Sequence, residues 1–213
     1  MLVSFLCPSR GRPELLARSV ASLASRTNRT DWEVLVALDD DDPQRTAYDS
    51  TIVSIYSGER KGYARLNETI ADLLIPHAKG HWVWLWNDDA LMETQDWLEV
   101  LAKESADGVL CPKTNHENGS LNVFPIIPKA WIAIAGWAKN GANDTWFQVV
   151  GSMIDRHRTV PISILHDRAD LTGNNNDATR LGNSYDPSTF FNTTTYARMG
   201  FAAGRIYDRL YRF

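Results

Sequence analysis

The first half of the chain switches between two hydrophobic periods. Leu2 to Cys7 is a short apolar run that ends in the breaker cluster Pro8-Ser9-Arg10-Gly11-Arg12-Pro13. From Glu14 to Ser25 the apolar residues Leu15, Leu16, Val20 and Leu23 fall at helical spacing, and Pro13 suits a first helical turn. Trp32 to Leu38 and the β-branched stretch Thr51 to Tyr56 read as strands. Gly62 to Leu74 reads as a helix with Ala64, Ile70, Leu73 and Leu74 on one side, stopped by Pro76. His81 to Trp86 is a further strand, and Asp96 to Lys103 a further helix. The second half is less regular. Val109 to Pro112, Asn122 to Ile127 and Pro161 to Leu165 read as strands. Pro128 to Trp137 reads as a short helix closed by Gly136, and Asn143 to Ile154 as a helix capped by Asn143 or Asp144. Asp167 to Thr189 is polar and Asn-rich and reads as a loop, and Thr193 to Phe213 as a terminal helix.

Strands alternating with helices at these spacings predict an α/β fold, a mostly parallel open sheet flanked by helices. Ligands of such sheets bind beyond the carboxyl ends of the strands. Three predicted strands end there in charged loops: Arg10-Gly11-Arg12, the run Asp39 to Asp42, and Asn87-Asp88-Asp89.

Composition narrows the class. The 213 residues are 44% hydrophobic and 23% charged, an ordinary globule able to bury a core, and we read 1–213 as one domain. No run reaches the roughly eighteen apolar residues of a membrane span. Met1 to Cys7 lacks a basic leader and reads as a strand, not a signal peptide. Cys7 and Cys111 form neither a Cys-x-x-Cys pair nor a disulfide framework, so the expected setting is reducing and cytoplasmic. A net charge of −4 disfavours a general nucleic-acid binder but leaves a local basic patch open. Eight Trp are many; their faces suit sugars and bases, or plain core filling.

Several motifs fail. Asp39 to Asp42 is no EF-hand loop, because Gln44 and Ser50 stand where Gly and Glu are needed. Dinucleotide and P-loop glycine patterns are absent, and Pro76 and Gly80 break any helix aligning His77 with His81. Asn87-Asp88-Asp89 is different. It follows the apolar Trp82-Val83-Trp84-Leu85-Trp86, and adjacent carboxylates at the end of a buried strand repel unless a divalent cation neutralises them or one of them caps the next segment.

In order and spacing these motifs resemble the nucleotide-sugar-dependent glycosyltransferases of the GT-A fold, especially the large inverting family two. The matching pieces run from Cys7-Pro8-Ser9-Arg10-Gly11-Arg12-Pro13 through Ala37-Leu38-Asp39-Asp40, Gly62-Tyr63-Ala64-Arg65-Leu66-Asn67 and Trp86-Asn87-Asp88-Asp89 to Asp96-Trp97-Leu98. Later come Gly136-Trp137, Asn143-Asp144-Thr145-Trp146 and Leu165-His166-Asp167, so the likeness covers Leu2 to about Thr179. It implies a Rossmann-like nucleotide-sugar-binding half, 1–106, and a smaller acceptor-binding half with the terminal helix, 107–213. By position it implies that Asp39 contacts the nucleotide base, with Pro8 and Arg10 in the same pocket, that Arg65 lies near the diphosphate, and that Asp88 lies near the ribose or metal. Asp89 and His166 are then ligands of Mn²⁺ or Mg²⁺, meeting at one cation although far apart in sequence. Asn87 replaces the first motif aspartate with a neutral ligand. Asp144 matches the general base, and Trp137 and Trp146 flank the acceptor. The donor implied is a nucleoside-diphosphate sugar, with UDP-sugars favoured. The acceptor is a saccharide, a glycolipid or a hydroxylated base in DNA. The tail, with Arg198, Arg205, Arg209 and Arg212 among aromatics, suits phosphates and bases, a membrane surface, or packing on the sheet. A nucleotidyltransferase and a non-catalytic nucleotide-sugar binder are the competing readings.

Overall fold

The computed structural model describes residues 2–62, 65–115, 122–139, 143–168 and 192–212. The predicted loop beyond Arg168 therefore lies outside the described residues, as do Tyr63 and Ala64. Eight strands form one sheet: β1 (Val3–Ser9), β2 (Trp32–Asp39), β3 (Ser54–Gly58), β4 (Trp82–Leu85), β5 (Ala90–Met92), β6 (Val109–Thr114), β7 (Ile126–Pro128) and β8 (His157–His166), in the order β3-β2-β1-β4-β7-β6-β8-β5. β1 pairs in parallel with β2 and β4, β2 with β3, and β6 with β8. β7 and β5 run antiparallel to their neighbours. Six strands thus point their carboxyl ends to one edge, and the sheet is mixed but mostly parallel.

Among the described residues the α-helices are α1 (Pro13–Ala24), α2 (Leu66–Thr69), α3 (Trp97–Ala102), α4 (Lys129–Ala135), α5 (Asn143–Met153) and α6 (Thr193–Leu210). They cover both faces, which is why central strands read as unbroken apolar runs. Odd positions of β1 (Val3, Phe5, Cys7) pack with Leu16, Val20 and Leu23 of α1 and Trp97, Leu98 and Leu101 of α3. Leu6, with Leu35 and Ala37 of β2, faces the side held by α4, α5 and α6. Phe5 stacks on Trp84 at 5.0 Å, and Trp86 and Trp97 meet its edge. Five Trp (Trp82, Trp84, Trp86, Trp97, Trp131) are fully buried, so their abundance is chiefly core filling.

Several expectations need correction. The helix expected from Gly62 begins only at Leu66, because Gly62 sits at φ +72, outside helical space. It then widens into a five-residue π turn, Ile70–Leu74, and tightens over Ile75–His77. Pro76 has no N–H to offer the preceding turn, so the ladder must re-register there. The strand expected from Asn122 starts at Ile126; Asn122 instead donates to the Pro112 carbonyl and accepts from the Phe124 amide at 2.7 Å. β8 begins at His157, earlier than Pro161, and β5 was not expected at all.

Candidate active site at the carboxyl edge of the sheet

The loop leaving β1 is bent by Gly11, whose φ of +65 is the left-handed region that favours glycine. Its amide donates to Asp42 Oδ2 at 2.9 Å, and the next amide, of Arg12, donates to the Tyr48 hydroxyl at 2.9 Å. These two bonds turn Arg10 and Arg12 in different directions. Arg10 Nη1 reaches Asp39 Oδ2 at 3.0 Å and Asp41 Oδ1 at 2.5 Å. The hydrogen bond from Arg10 holds the Asp41 carboxyl below its usual range. Arg60, from the loop after β3, lies 4.0 Å from Asp39 Oδ2. Pro8 stands in β1 opposite Ala37, two residues before Asp39.

Arg12 turns toward the end of β4. Its Nη1 lies 3.1 Å from Asp88 Oδ1 and 3.7 Å from Asp89 Oδ2. Ser9 Oγ donates to Asp88 Oδ2 at 2.6 Å and shares a 3.0 Å hydrogen bond with Tyr48. Both aspartates are buried. One side chain of α1 pins the turn that carries them: Ser19 Oγ accepts from Trp86 Nε1 at 2.8 Å and donates to the Ala90 carbonyl at 2.6 Å. Burial, and then the charges of Asp88 and Asp89, push the nearby Cys7 thiol well above its usual value, so it stays protonated.

β5 explains how Asp89 and His166 meet. The strand pairs antiparallel with the end of β8, with Ala90 opposite His166, and the Asp167 amide donates to the Asp89 carbonyl at 2.9 Å. His166 Nε2 then lies 3.2 Å from Asp89 Oδ1 and 3.1 Å from Asn87 Nδ2. Asn115, at the end of β6, accepts from the His166 amide at 2.8 Å and donates to its carbonyl at 3.1 Å, fixing the backbone. Asp167 itself is engaged by Arg18.

Among the described residues no three His, Cys, Asp or Glu side chains gather as a metal cage. The fit to a cation is nonetheless specific. Asp89 Oδ1 is buried without a hydrogen-bond donor, although His166 Nε2 lies beside it. A cation between Asp89 Oδ1 and His166 Nε2 would be held by both atoms. Asp88 is different, because Ser9 and Arg12 already occupy it. Two protein ligands suit a hard divalent ion that takes its other ligands from water and substrate phosphates.

Asp144 lies in the first turn of α5, one residue inside the helix rather than at its cap, and its Oδ1 accepts from the Thr145 amide at 2.8 Å. The other end of α5 leads directly into the amino end of β8, so its first turn stands at the carboxyl edge. Gln148, one turn on, accepts from the Asn122 amide at 2.8 Å and from the Cys111 thiol of β6 at 3.2 Å, which anchors that turn to β6. Burial pushes the Asp144 carboxyl up to about 6.

Two expected residues, Arg65 and Trp146, are placed differently. Arg65 is exposed and forked onto Glu68 at 2.8 and 2.6 Å, not turned to the aspartates; among the described residues Arg10 and Arg60 reach Asp39, Arg12 reaches Asp88 and Arg18 reaches Asp167. Trp146 is only 4% exposed, with Arg198 of α6 over its ring at 5.7 Å, so it is a packing residue with no open face. Trp137 is half-buried against Phe147 at 5.7 Å. Arg12, Ser9 and Tyr48 were missed as site residues. The signal for Arg12 was present, since the motif after β1 holds two arginines two residues apart.

No family model matches the sequence, and no curated protein matches it. Solved structures do match the fold. TarS of S. aureus (residues 1–349, in complex with UDP-GlcNAc) superposes over 100% of this chain and 68% of its own, with TM-score 0.61 and 14% identity. A longer TarS structure matches over 79% of this chain and 37% of its own, so this chain spans well under half of that protein. The mannosyltransferase PcManGT of Pyrobaculum calidifontis, in complex with GDP-Man and Mn²⁺, matches over 97% and 73%, with TM-score 0.58 and 15% identity. Glucosyl-3-phosphoglycerate synthase of Mycobacterium tuberculosis, in complex with Mn²⁺, UDP and phosphoglyceric acid, matches over 95% and 78%, with TM-score 0.62 and 11% identity. These neighbours are GT-A-type glycosyltransferases, and the chain has the GT-A fold. None of its described helices is long and apolar enough to cross a membrane.

Proposed function

We propose that this chain is a metal-assisted glycosyltransferase that moves a sugar, with inversion, from a nucleoside-diphosphate sugar, favouring UDP, to a hydroxyl acceptor in the cytoplasm. The observation that carries the reading is the meeting of Asp89 with His166 at the edge where β2 ends in Asp39 and the turn after β4 carries Asp88. Asp39 accepts from the base or ribose beside Pro8 and Arg10. Asp88 stands toward the ribose. Asp89 and His166 would hold Mn²⁺ or Mg²⁺, which would supply charge stabilisation to the leaving diphosphate. The acceptor oxygen bonds to the anomeric carbon as the bond from that carbon to phosphate oxygen breaks, and the electron pair leaves on the diphosphate. Asp144 takes the acceptor proton; a carboxylate that ionises near 6 is charged at neutral pH yet still a competent base. Trp137 is the aromatic available to the acceptor, which we read as a saccharide, a glycolipid or a hydroxylated DNA base. The test is calorimetric titration of UDP with and without Mn²⁺. Metal-dependent binding in the parent, lost in Asp89→Ala with the melting temperature retained, is expected; an unchanged titration in that variant removes the assignment.

A further inference from the structure

We infer that Arg12 is a resident counter-cation of the Asp88–Asp89 pair and competes with a divalent ion for it. Two adjacent buried carboxylates need positive charge close by, and in this chain a guanidinium already supplies it, at 3.1 Å from Asp88 and 3.7 Å from Asp89. The placement is built in. Gly11 bends the loop, Asp42 and Tyr48 hold two successive amides of it, and Ser9 fixes the far oxygen of Asp88. Asn87, next in the turn, adds no negative charge. The aspartate pair with Arg12 therefore keeps a single net negative charge, and an incoming dication meets the guanidinium's field within a few ångströms of Asp89. Weak cation binding by the free chain follows. Arg12 is thus a positioning residue that sets metal affinity through Asp88 and Asp89.

The inference rests on the cation part of the proposed function and not on the identity of the donor. It is tested by titrating Mn²⁺ alone into the parent chain and Arg12→Gln, with circular dichroism to confirm the fold. Arg12→Gln is expected to bind Mn²⁺ about tenfold or more tightly than the parent, since an unscreened like charge at such distances is worth at least that factor. Equal or weaker binding overturns the inference. A second comparison guards against a variant that cannot fold with two uncompensated carboxylates. Asp88→Asn and the double variant Arg12→Gln/Asp88→Asn differ only in the guanidinium, and the double variant is expected to bind Mn²⁺ more tightly; identical affinities overturn the inference equally. If the parent binds Mn²⁺ but never UDP, the donor reading fails while this one is judged on the variants. If no variant binds Mn²⁺, both fail.

Discussion

Asp89, buried, and Asp144, half-buried, are two carboxylates at the same edge of the sheet, and their surroundings suit them to opposite tasks. Asp89 ends a pinned turn, with Arg12 at 3.7 Å and His166 at 3.2 Å. Asp144 is bonded by the Thr145 amide and hydroxyl and by its own amide, yet burial outweighs these bonds and pushes its carboxyl up to about 6. A carboxylate flanked by a guanidinium and an imidazole suits a part in holding a cation. One whose burial outweighs its hydrogen bonds suits a group that must take up a proton near neutrality.

The comparison breaks first at turnover. Asp144→Asn keeps the size and the amide hydrogen bond but cannot accept a proton, so single-turnover transfer should fall by about 10²–10⁴-fold with UDP binding unchanged. In the parent, kcat/KM should rise with pH through about 6 as the carboxyl ionises. Full activity in the variant would move the base elsewhere. Asp167, the next acidic residue at this edge, is already tied to Arg18.

Stability separates the two residues next. The folded-state pKa of Asp144, about 6, lies above the ordinary 3.8. Between those values the folded chain holds more proton than the unfolded one. Stability from this group is therefore full below about pH 4 and is lost as pH rises toward 6. Asp144→Asn removes that loss. Urea unfolding should find the variant more stable than the parent by about 2–3 kcal/mol at pH 8, discounted for its partly exposed edge, and equal to it near pH 4. A plain capping role predicts the reverse, a less stable variant at pH 8.

Asp39 offers a third carboxylate, half-buried and paired with Arg10 and Arg60. Asp39→Ala should weaken UDP binding by roughly 1.5–3 kcal/mol, the scale of a charged hydrogen bond. Titration at equal affinity would place the nucleotide elsewhere on the sheet.

What could be read from sequence divides along the same line. β1, β2 and β4 announce themselves as apolar runs because helices cover both faces, and the charged loops after them were placed at the right edge. The meeting of Asp89 with His166 was anticipated from a resemblance, but its cause was not. Ala90-Leu91-Met92 is too short to stand out as a strand, and only its pairing with β8 gives it meaning. Arg12 escaped for a related reason. Nothing local distinguishes it from Arg10; the bonds from Gly11 to Asp42 and from Arg12 to Tyr48 send the two side chains apart, and both partners lie more than thirty residues away in sequence. Trp146 misled because an aromatic beside a candidate base is equally a core residue, and α6, which covers it, is distant in the chain.

The smallest effect is at Gly11, and it sharpens the contrast at its origin, since the bend there is what brings a guanidinium to Asp88 and Asp89. An added Cβ would meet no atom within 4 Å, so Gly11→Ala carries no packing cost. The cost is in the backbone alone: φ of +65 is disfavoured for alanine by about 1 kcal/mol or slightly more. Urea unfolding should record that loss at pH 8 and pH 4 alike, because no titrating group is removed, in contrast to the pH-dependent change at Asp144. A loss near zero would mean that the loop takes another path without penalty, and that Arg12 is not held over the aspartates by the turn beside it.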